Sequence, residues 1–369
     1  MRVHSIELLN YRNYTAVDLE FSKSINIFTG NNAQGKTNLL ESLYFAAMGR
    51  SHRTGEDKEL IMWEKENACI KIKFSRRDVE NFLKIKLING QNKEIILNGN
   101  TINARELLGS LTAVIFSPED LLMIKGAPVL RRRFLDNEIS QASKTYYRQL
   151  LNYNRILSQR NNLLKKIRER KADRSMLESW DGQFVKSASY LVLKRQEVVK
   201  KLTMIANLCH RKITSSKENL AVIYCLNSFS GKVFNDLEVL SNWYSAKLKE
   251  NEAEDILRGS TGIGPHRDDL MFLVNGKNLK NFGSQGQQRT GVLALKLAEL
   301  EFIKSETGEY PVLLLDDIMS ELDENRRNEL LLFIKERIQT FITATDQKYF
   351  ADEKIGQFYK IENGMVSVI

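Results

Sequence analysis

Hydrophobic and polar residues alternate over most of the chain up to about Asn103. Val17, Leu19 and Phe21 alternate with polar neighbours, and the same period of two recurs twice more within this region. Successive side chains of a strand point to opposite faces, so a period of two is typical of a strand buried on one side. We therefore predict that this region is built mainly of β-strands.

Two Asn-Gly pairs predict tight hairpin turns. Asn98-Gly99 lies between two short apolar runs, and Asn275-Gly276 follows another apolar run. Asparagine and glycine tolerate the positive φ angles that a two-residue hairpin turn requires. Each pair is therefore predicted to join two antiparallel strands.

The spacing of apolar residues changes to three and four between about 119 and 217. Stretches near 150–167 and 175–214 carry apolar stripes among many charged residues. This spacing is typical of amphipathic helices. The charges near 171–173 indicate an exposed turn, so the two helices are predicted to form a helical hairpin, or arm. Residues 236–257 also follow helical spacing, but the pattern does not assign them to either part of the chain.

The composition is that of a globular protein with an excess of positive charge. Of the 369 residues, 42% are hydrophobic and 27% are charged, and the net charge is +9. No run approaches the ~18 apolar residues of a membrane-spanning helix, and the polar start does not resemble a signal peptide. Three cysteines without C-x-x-C spacing indicate a reducing compartment. We expect a cytoplasmic protein with no membrane contact.

One segment accounts for the whole charge excess. Residues 131–174 hold 13 Lys or Arg and only four acids, which leaves +9. Such a cluster attracts a polyanion such as nucleic acid, although a solvated helical face with no ligand explains the charge as well. The basic residues are Arg131, Arg132, Arg133, Lys144, Arg148, Arg155, Arg160, Lys165, Lys166, Arg168, Arg170, Lys171 and Arg174.

A glycine-rich motif follows the apolar run 25–28. Residues 30–37 read GNNAQGKT and fit G-x-x-x-x-G-K-[ST]. In such a P-loop the backbone N–H groups surround phosphate oxygens, the lysine reaches the β- and γ-phosphates, and the threonine hydroxyl binds Mg²⁺. An apolar strand before the motif and helical spacing after it are the context that a P-loop requires. A glycine-rich turn with an incidental lysine is the alternative.

Two aspartates follow the continuous apolar run 312–315. Such a run is typical of a buried parallel strand, and ligands bind where such strands end. Asp316 is predicted to hold Mg²⁺, and Asp317 to orient or activate the attacking water. The alternative is that the pair only caps a helix.

The segment SQGQQR at 284–289 begins an amphipathic helix. A serine hydroxyl, a glycine N–H and a helix N-terminus together can bind an anion, whereas the simpler interpretation is a capped helix. Asp316 lies 27 residues beyond Arg289, which leaves room for one helix, a turn and a strand.

Together these motifs resemble the RecF family of bacterial DNA repair proteins, whose head is similar to that of structural-maintenance-of-chromosomes proteins. The resemblance covers nearly the whole chain and includes the blocks 9–14 (LNYRNY), 116–121 (FSPEDL), 131–136 (RRRFLD), 264–269 (GPHRDD) and a D-loop-like 320–323 (SELD). It implies an α/β fold: an ATP-binding-cassette head with mixed β-sheets and a P-loop, plus an inserted, mainly helical arm domain. We expect the head in 1–118 and 218–369 and the arm in 119–217, with 218–257 uncertain.

The resemblance also implies an ATP-dependent DNA-binding protein of replication and recombinational repair, including gap repair and SOS induction. In such heads ATP lies between two subunits, so that ATP drives homodimerisation on junctions of single-stranded and double-stranded DNA, and hydrolysis releases the dimer. RecO-type and RecR-type mediators are implied as partners in loading recombinase. The alternatives are the ATPase subunit of a membrane transporter and a P-loop kinase. The basic helical insertion counts against the first, and the 284–289 motif would be surplus in the second.

The implied site combines residues of two subunits with ATP and Mg²⁺. The expected ATP-binding residues are Arg12, Gly30, Asn31, Asn32, Ala33, Gln34, Gly35, Lys36 and Thr37 of one subunit and Ser284, Gly286 and Gln287 of the other, and the expected Mg²⁺ ligands are Thr37 and Asp316.

The chain departs from the wider cassette pattern at three positions. Gln285 stands where the signature usually has its first glycine, Asp317 where a glutamate is usual, and Thr345 where a switch histidine is usual. Asp317 and Thr345 are the candidate catalytic residues. A shorter base and a missing histidine predict a slow ATPase that times binding. The pattern assigns no Q-loop glutamine, and His266 beside two aspartates is interpreted as structural rather than as a metal site.

Overall fold

A computed structural model describes residues 1–226, 229–230, 233–350 and 355–369. Its strands are β1 (Arg2–Tyr11), β2 (Tyr14–Glu20), β3 (Ile25–Thr29), β4 (Asn67–Arg76), β5 (Val79–Ile88), β6 (Glu94–Leu97), β7 (Asn100–Ile102), β8 (Ala113–Phe116), β9 (Leu220–Leu226), β10 (Phe229–Ser230), β11 (Asp269–Val274), β12 (Lys277–Asn278), β13 (Val312–Asp316), β14 (Thr340–Ala344), β15 (Gln357–Glu362) and β16 (Met365–Val368). Its helices are α1 (Lys36–Met48), α2 (Ala104–Leu107), α3 (Leu122–Lys125), α4 (Pro128–Ala142), α5 (Lys144–Arg168), α6 (Leu177–Ile213), α7 (Leu237–Arg258), α8 (Leu279–Phe282), α9 (Gln285–Thr307) and α10 (Glu324–Ile334).

The chain forms two compact units. Unit 1 comprises Met1–Leu122 and Lys296–Ile369, and unit 2 comprises Met123–Leu295. The boundaries of these units differ from the expected ones at two places: residues 119–122, expected in the arm, lie in unit 1, and residues 218–295, expected in the head, group with the helices of the arm. The uncertain segment 218–257 therefore lies in unit 2.

The sheet that carries the nucleotide motifs lies in unit 1, in the order β16-β15-β3-β14-β13-β8. Strands β15, β3, β14, β13 and β8 run parallel to one another, and the edge strand β16 is antiparallel to β15. Every residue of β3, β13 and β14 is buried, as expected for central strands whose sequences are mainly apolar. Parallel strands end at one edge of the sheet, so the loop after β3 and the aspartates at the end of β13 share that edge.

A second sheet of unit 1 is antiparallel, in the order β2-β1-β4-β5-β6-β7. Buried and less buried residues alternate along most of β4, which confirms the period of two seen in the sequence. Between β6 and β7, Asn98 has φ 51° and Gly99 has φ 82°. This is the positive-φ pair that a two-residue hairpin turn requires, so the first hairpin prediction is confirmed.

Unit 2 is mainly helical, as predicted. Helices α5 and α6 form the hairpin, and α7 packs against both. Near the hairpin turn, apolar side chains of all three helices form a buried cluster of Leu163, Leu164, Ile167, Leu177 and Ile256. A small sheet, β10-β9-β11-β12, completes the unit, and Asn275-Gly276 joins β11 to β12 with φ 48° and 77°. No helix in the described part of the chain is long and apolar enough to cross a membrane.

Candidate nucleotide site and signature helix

Both motif glycines of the P-loop have positive φ angles and leave little room for a side chain. Gly30 has φ 153°, and a Cβ there would lie 2.3 Å from the carbonyl oxygen of Ile361. Gly35 has φ 116°, and its Cβ would lie 2.7 Å from the amide nitrogen of Asn13. Glycine is required at both positions because the loop passes so close to its neighbours. Between them, Asn31, Asn32 and Ala33 are exposed at the tip of the loop.

Side chains outside the motif hold the loop in place. The Asn13 amide donates to the carbonyl of Gln34 (3.0 Å), and the Tyr14 hydroxyl donates to the carbonyl of Gly35 (2.9 Å). From the other side, the backbone N–H of Asn363 donates to the Gln34 side chain. No local pattern in the sequence marks Asn13 or Tyr14 individually, although both lie in the block 9–14 that carries the family resemblance.

Lys36 spans the mouth of the loop. Its ammonium donates to the carbonyls of Gly30 (2.6 Å) and Asn31 (2.8 Å). Burial lowers the pKa of Lys36, although the charges of Asp317 and Asp316 oppose this effect. The ammonium therefore lies between the loop and the aspartates, where a bound phosphate would meet it.

Asp316 links the P-loop to the core of the sheet. One of its carboxylate oxygens accepts hydrogen bonds from the hydroxyls of Thr37 (2.9 Å) and Thr343 (2.8 Å). A hydroxyl and a carboxylate at this distance are oxygen ligands of the kind that Mg²⁺ prefers. The residues present therefore fit a magnesium ion bound together with ATP. Thr343 is not among the site residues predicted from the sequence. The feature that could have indicated it is a polar residue inside a buried, mainly apolar strand.

Asp317 has an unusual backbone conformation and an available carboxylate oxygen. Its φ is 50°, and its N–H donates to the hydroxyl of Thr343 (2.9 Å). Among the residues that the structure describes, none hydrogen-bonds to its buried Oδ1. Burial raises the pKa of Asp317; the charge of Lys36 opposes that rise, and the charges of Asp316 and Glu321 add to it. An unpaired buried acceptor of this kind suits a water molecule that must be oriented.

Thr345 directly follows β14, the strand between β3 and β13. Ala344 pairs with Thr29, the residue before the P-loop, and Thr343 pairs with Asp316. Thr345 therefore lies at the same sheet edge as the P-loop and the aspartates, and it is exposed there. Its catalytic role stays a prediction.

Arg12 is held firmly by the helix that follows the P-loop. Two of its guanidinium nitrogens donate to the two carboxylate oxygens of Glu41, each at 2.9 Å, and a third donates to the carbonyl of Glu59 (2.8 Å). Burial alone would raise the pKa of Glu41, but hydrogen bonds from Arg12 and Ser51 and the charge of Arg53 outweigh it and lower the pKa. Arg12 thus anchors α1, and nucleotide contact by Arg12 stays a prediction.

The signature segment begins α9 with a reciprocal cap. The N–H of Gln287 donates to the Ser284 hydroxyl (3.2 Å), and the N–H of Ser284 donates to the Gln287 side chain (2.9 Å). This is the arrangement of a capping box. Ser284 and Gln285 are exposed, and Gly286 is half-buried. The helix start is therefore rigid and accessible, two properties that an anion site needs.

Not all of the basic block 131–174 belongs to the surface. The Arg131 guanidinium is buried and donates to both carboxylate oxygens of Asp269, and the fully buried Arg160 pairs with Asp181 and Asp255. The interpretation as a phosphate-binding surface is therefore wrong for these two arginines. The exposed members of the block include Lys165, Lys166, Arg168, Arg170, Lys171 and Arg174 around the hairpin turn.

The block 264–269 is part of the interior of unit 2. The Tyr153 hydroxyl lies 2.6 Å from Nδ1 of His266, and Nε2 lies 3.1 Å from the carbonyl of Thr261. Burial lowers the pKa of His266 to about 4, so the ring is neutral at pH 7. Both ring nitrogens are engaged by protein groups, which supports the structural interpretation over a metal site.

Three features occur together here: a P-loop after a central parallel strand, two aspartates at the end of a nearby strand, and a signature helix with a capped start. They define an ATP-binding-cassette head of the kind found in SMC proteins. A model of the family described as RecF/RecN/SMC N terminal domain matches residues 2–367. The DNA replication and repair protein RecF of Natranaerobius thermophilus is 44% identical to the chain, and the match covers 99% of the chain and 97% of that relative. The DNA replication and repair protein RecF of Clostridium tetani is 42% identical, and the match covers 99% of both proteins. The chain belongs to the RecF family.

Solved structures agree with this assignment. One described as the recombination mediator protein RecF-ATP in RecFOR pathway has a TM-score of 0.92 and 36% identity, and covers 100% of this chain and 97% of its own. An Smc head domain from Pyrococcus furiosus has a TM-score of 0.56 at 16% identity, covers 100% of this chain and 96% of its own, and shows the shared fold alone. The relatives support the DNA-repair interpretation rather than a transporter ATPase or a P-loop kinase.

Proposed function

We propose that this protein is an ATP-dependent DNA-binding protein of replication and recombinational repair that dimerises on ATP. ATP and Mg²⁺ occupy the P-loop of one copy, and the Ser284 helix of a second copy closes over the phosphates. The proposal extends to single-stranded/double-stranded DNA junctions as the site of action, to cooperation with RecO-type and RecR-type mediators, and to work in the cytoplasm, where its three cysteines stay reduced.

The observation that carries the proposal is that the hydroxyls of Thr37 and Thr343 both donate hydrogen bonds to one carboxylate oxygen of Asp316. These residues come from the P-loop, from β13 and from β14, and their oxygens converge within 2.9 Å contacts. A relative at 36% identity is described with ATP. Bound ATP supplies a phosphoryl group that hydrolysis transfers to water, while Lys36 holds the phosphates and Thr37 and Asp316 hold the magnesium ion.

The chain's own residues account for a slow turnover. Asp317 offers one unpaired buried oxygen to orient water, and its raised pKa reflects burial beside Asp316. The side chain is one methylene shorter than the glutamate usual at this position, and Thr345 offers a hydroxyl where an imidazole is usual. Hydrolysis in this arrangement acts as a timer for the dimer.

The test is multi-angle light scattering with ATP or ADP, with and without gapped DNA. We expect the wild type to dimerise with ATP and not with ADP. Lys36→Arg removes the compact ammonium that holds the phosphates, and Ser284→Arg places a bulky charge at the helix start. Both are expected to remain monomeric with ATP.

Lys335→Arg is the matched control, since it changes an exposed lysine of unit 1 in the same way. It is expected to dimerise like the wild type. Dimerisation of Ser284→Arg on ATP would contradict the proposal, because the sandwich requires that helix start.

A further inference from the structure

A chain of polar contacts joins the end of the arm helix α6 to the signature helix α9 within unit 2. Glu218 lies in the loop between α6 and β9. One of its carboxylate oxygens lies 3.2 Å from Nε2 of His210, in the last turn of α6. The other accepts a hydrogen bond from the side-chain amide of Gln287, in the first turn of α9 (2.8 Å). Glu218 therefore touches both helices.

The contact with Glu218 orients the Gln287 amide. A carboxylate only accepts hydrogen bonds, so it selects the NH₂ end of the amide and turns the oxygen the other way. That oxygen accepts the N–H of Ser284 (2.9 Å), and the Gln287 N–H in turn donates to the Ser284 hydroxyl (3.2 Å). The orientation of this amide thus sets the side-chain half of the cap on Ser284, and the backbone of the same residue provides the other half.

The other end of the chain of contacts is fixed in α6. His210 is fully buried, and its ring donates through Nε2 to the carboxylate, which can only accept. Burial lowers the pKa of His210, and the hydrogen bond to Glu218 opposes that effect. The same loop is tied to α6 a second time, because the side chain of Asn207 accepts the N–H of Leu220 (2.9 Å). A shift or rotation of the end of α6 must therefore move Glu218.

We propose that Glu218 is a positioning residue that couples the arm helix α6 to Ser284 through Gln287. The inference rests on the proposed function, in which Ser284 completes the ATP site of a second copy. DNA held at the basic turn between α5 and α6 acts on the same helix whose last turn holds His210. Glu218 thus gives the arm a direct route to the groups that close on ATP.

The experiment measures two constants for each full-length variant: the dissociation constant of the ATP-bound dimer, and the affinity of the monomer for a fluorescent ATP analogue. Glu218→Ala is expected to weaken the dimer about tenfold, since a hydrogen bond to a charged group is lost and the cap loosens. The monomer affinity for ATP is expected to stay unchanged, because the P-loop lies in unit 1. Glu197→Ala, which removes an exposed glutamate of α6, is the matched control and is expected to change neither constant.

A conservative variant makes the test independent of any folding defect in Glu218→Ala. Glu218→Gln keeps a side-chain oxygen that can accept the hydrogen bond of the Gln287 amide, and its NH₂ group can donate to Nε2 of His210 in the other tautomer of the ring. It is expected to keep the dimer within about threefold of the wild type.

The outcomes separate this inference from the proposed function. If Ser284→Arg abolishes the ATP dimer while Glu218→Ala keeps it at wild-type strength, only the coupling is overturned. The same holds if Glu218→Gln weakens the dimer as strongly as Glu218→Ala. If Ser284→Arg also dimerises like the wild type, the proposed function fails and the coupling fails with it.

Discussion

At the residue scale, Thr343 organises the site although it belongs to none of the predicted motifs. Its hydroxyl donates to Asp316 and accepts the N–H of Asp317, so a single oxygen sets the positions of both aspartates. Removing a residue that hydrogen-bonds to a metal ligand typically lowers metal affinity by about 10-fold to 100-fold. The residue is buried and makes these contacts without being exposed to a ligand.

Thr343→Val keeps the shape of the side chain and removes these two hydrogen bonds. We expect the Mg²⁺ concentration for half-maximal ATP hydrolysis to rise about tenfold or more, as for other residues that support a metal ligand. The unpaired N–H of Asp317 is expected to cost about 1–3 kcal/mol of unfolding free energy. A magnesium titration of ATP hydrolysis and a urea unfolding curve measure the two effects.

Thr340→Val is the matched control on the same strand. Thr340 is also fully buried, but its hydroxyl donates to the carbonyl of Ile338, away from the aspartates. It is expected to cost stability without changing the magnesium requirement. Equal magnesium curves for Thr343→Val and Thr340→Val would show that Thr343 has no special role in the site.

At the scale of elements, the interior of unit 2 is held by an arginine that the sequence analysis counted among surface charges. Arg160 of α5 donates to Asp181 of α6 (2.6 Å), and to Asp255 of α7 and Thr261 (2.8 Å each). Arg160 is 0% exposed and Asp255 is 1% exposed. The three helices therefore share one buried cation.

Arg160→Met is expected to lower the free energy of unfolding by about 3–5 kcal/mol, because it leaves the buried carboxylate of Asp255 without its partner. Urea unfolding followed by tryptophan fluorescence measures the loss, since Trp180 packs against the apolar cluster of this unit. Arg155→Met, an exposed arginine of the same helix, is expected to change the value by less than about 0.5 kcal/mol. Similar losses in both variants would argue against the buried pair as the cause.

The elements themselves were largely predictable from local patterns. Asn98-Gly99 and Asn275-Gly276 mark turns because their positive φ angles depend on the residues alone, and the stripes of α5 and α6 depend on a period of 3.6. The pairing of Arg131 with Asp269 and of Arg160 with Asp255 was not predictable. These partners lie 138 and 95 positions apart, and no local pattern records which acid will meet which arginine.

The same limit applies to the candidate site. The P-loop and the two aspartates were identified because their spacing is a motif. Thr343 and Glu218 act through contacts made only after the chain has folded, and a lone threonine or glutamate carries no motif of its own. The sequence therefore predicts the groups that face a ligand better than those that hold these groups in position.

At the scale of the whole molecule, the net charge of +9 is unevenly exposed. Some cations of the basic block form buried ion pairs. Around the turn between α5 and α6, by contrast, six Lys or Arg side chains are exposed, together with only two exposed acids, Glu169 and Asp173. We therefore expect this turn, more than the rest of the block, to contact phosphates.

Replacing Lys165, Lys166 and Lys171 with glutamine is expected to weaken DNA binding and to flatten its salt dependence. The slope of log K against log salt should fall by roughly 0.7–0.9 for each phosphate contact removed. Fluorescence anisotropy with gapped DNA measures the slope. The salt concentration is varied from about 50 to about 200 mM, a range over which DNA affinity changes strongly.

The control replaces three exposed lysines of unit 1, Lys23, Lys65 and Lys335, with glutamine. It lowers the net charge equally and is expected to leave the slope nearly unchanged. Equal slopes for the two triple variants would mean that net charge, and not the hairpin turn, governs DNA binding.

The P-loop depends on a strand made long after it. The carbonyl of Ile361 lies where a side chain at Gly30 would be, and Asn363 binds Gln34 from 329 positions away. During synthesis, the ribosome has therefore released the glycine-rich loop long before the strand that supports it exists. A nascent chain of this protein therefore completes the contacts around its glycine-rich loop only after residues 361–363 have left the ribosome.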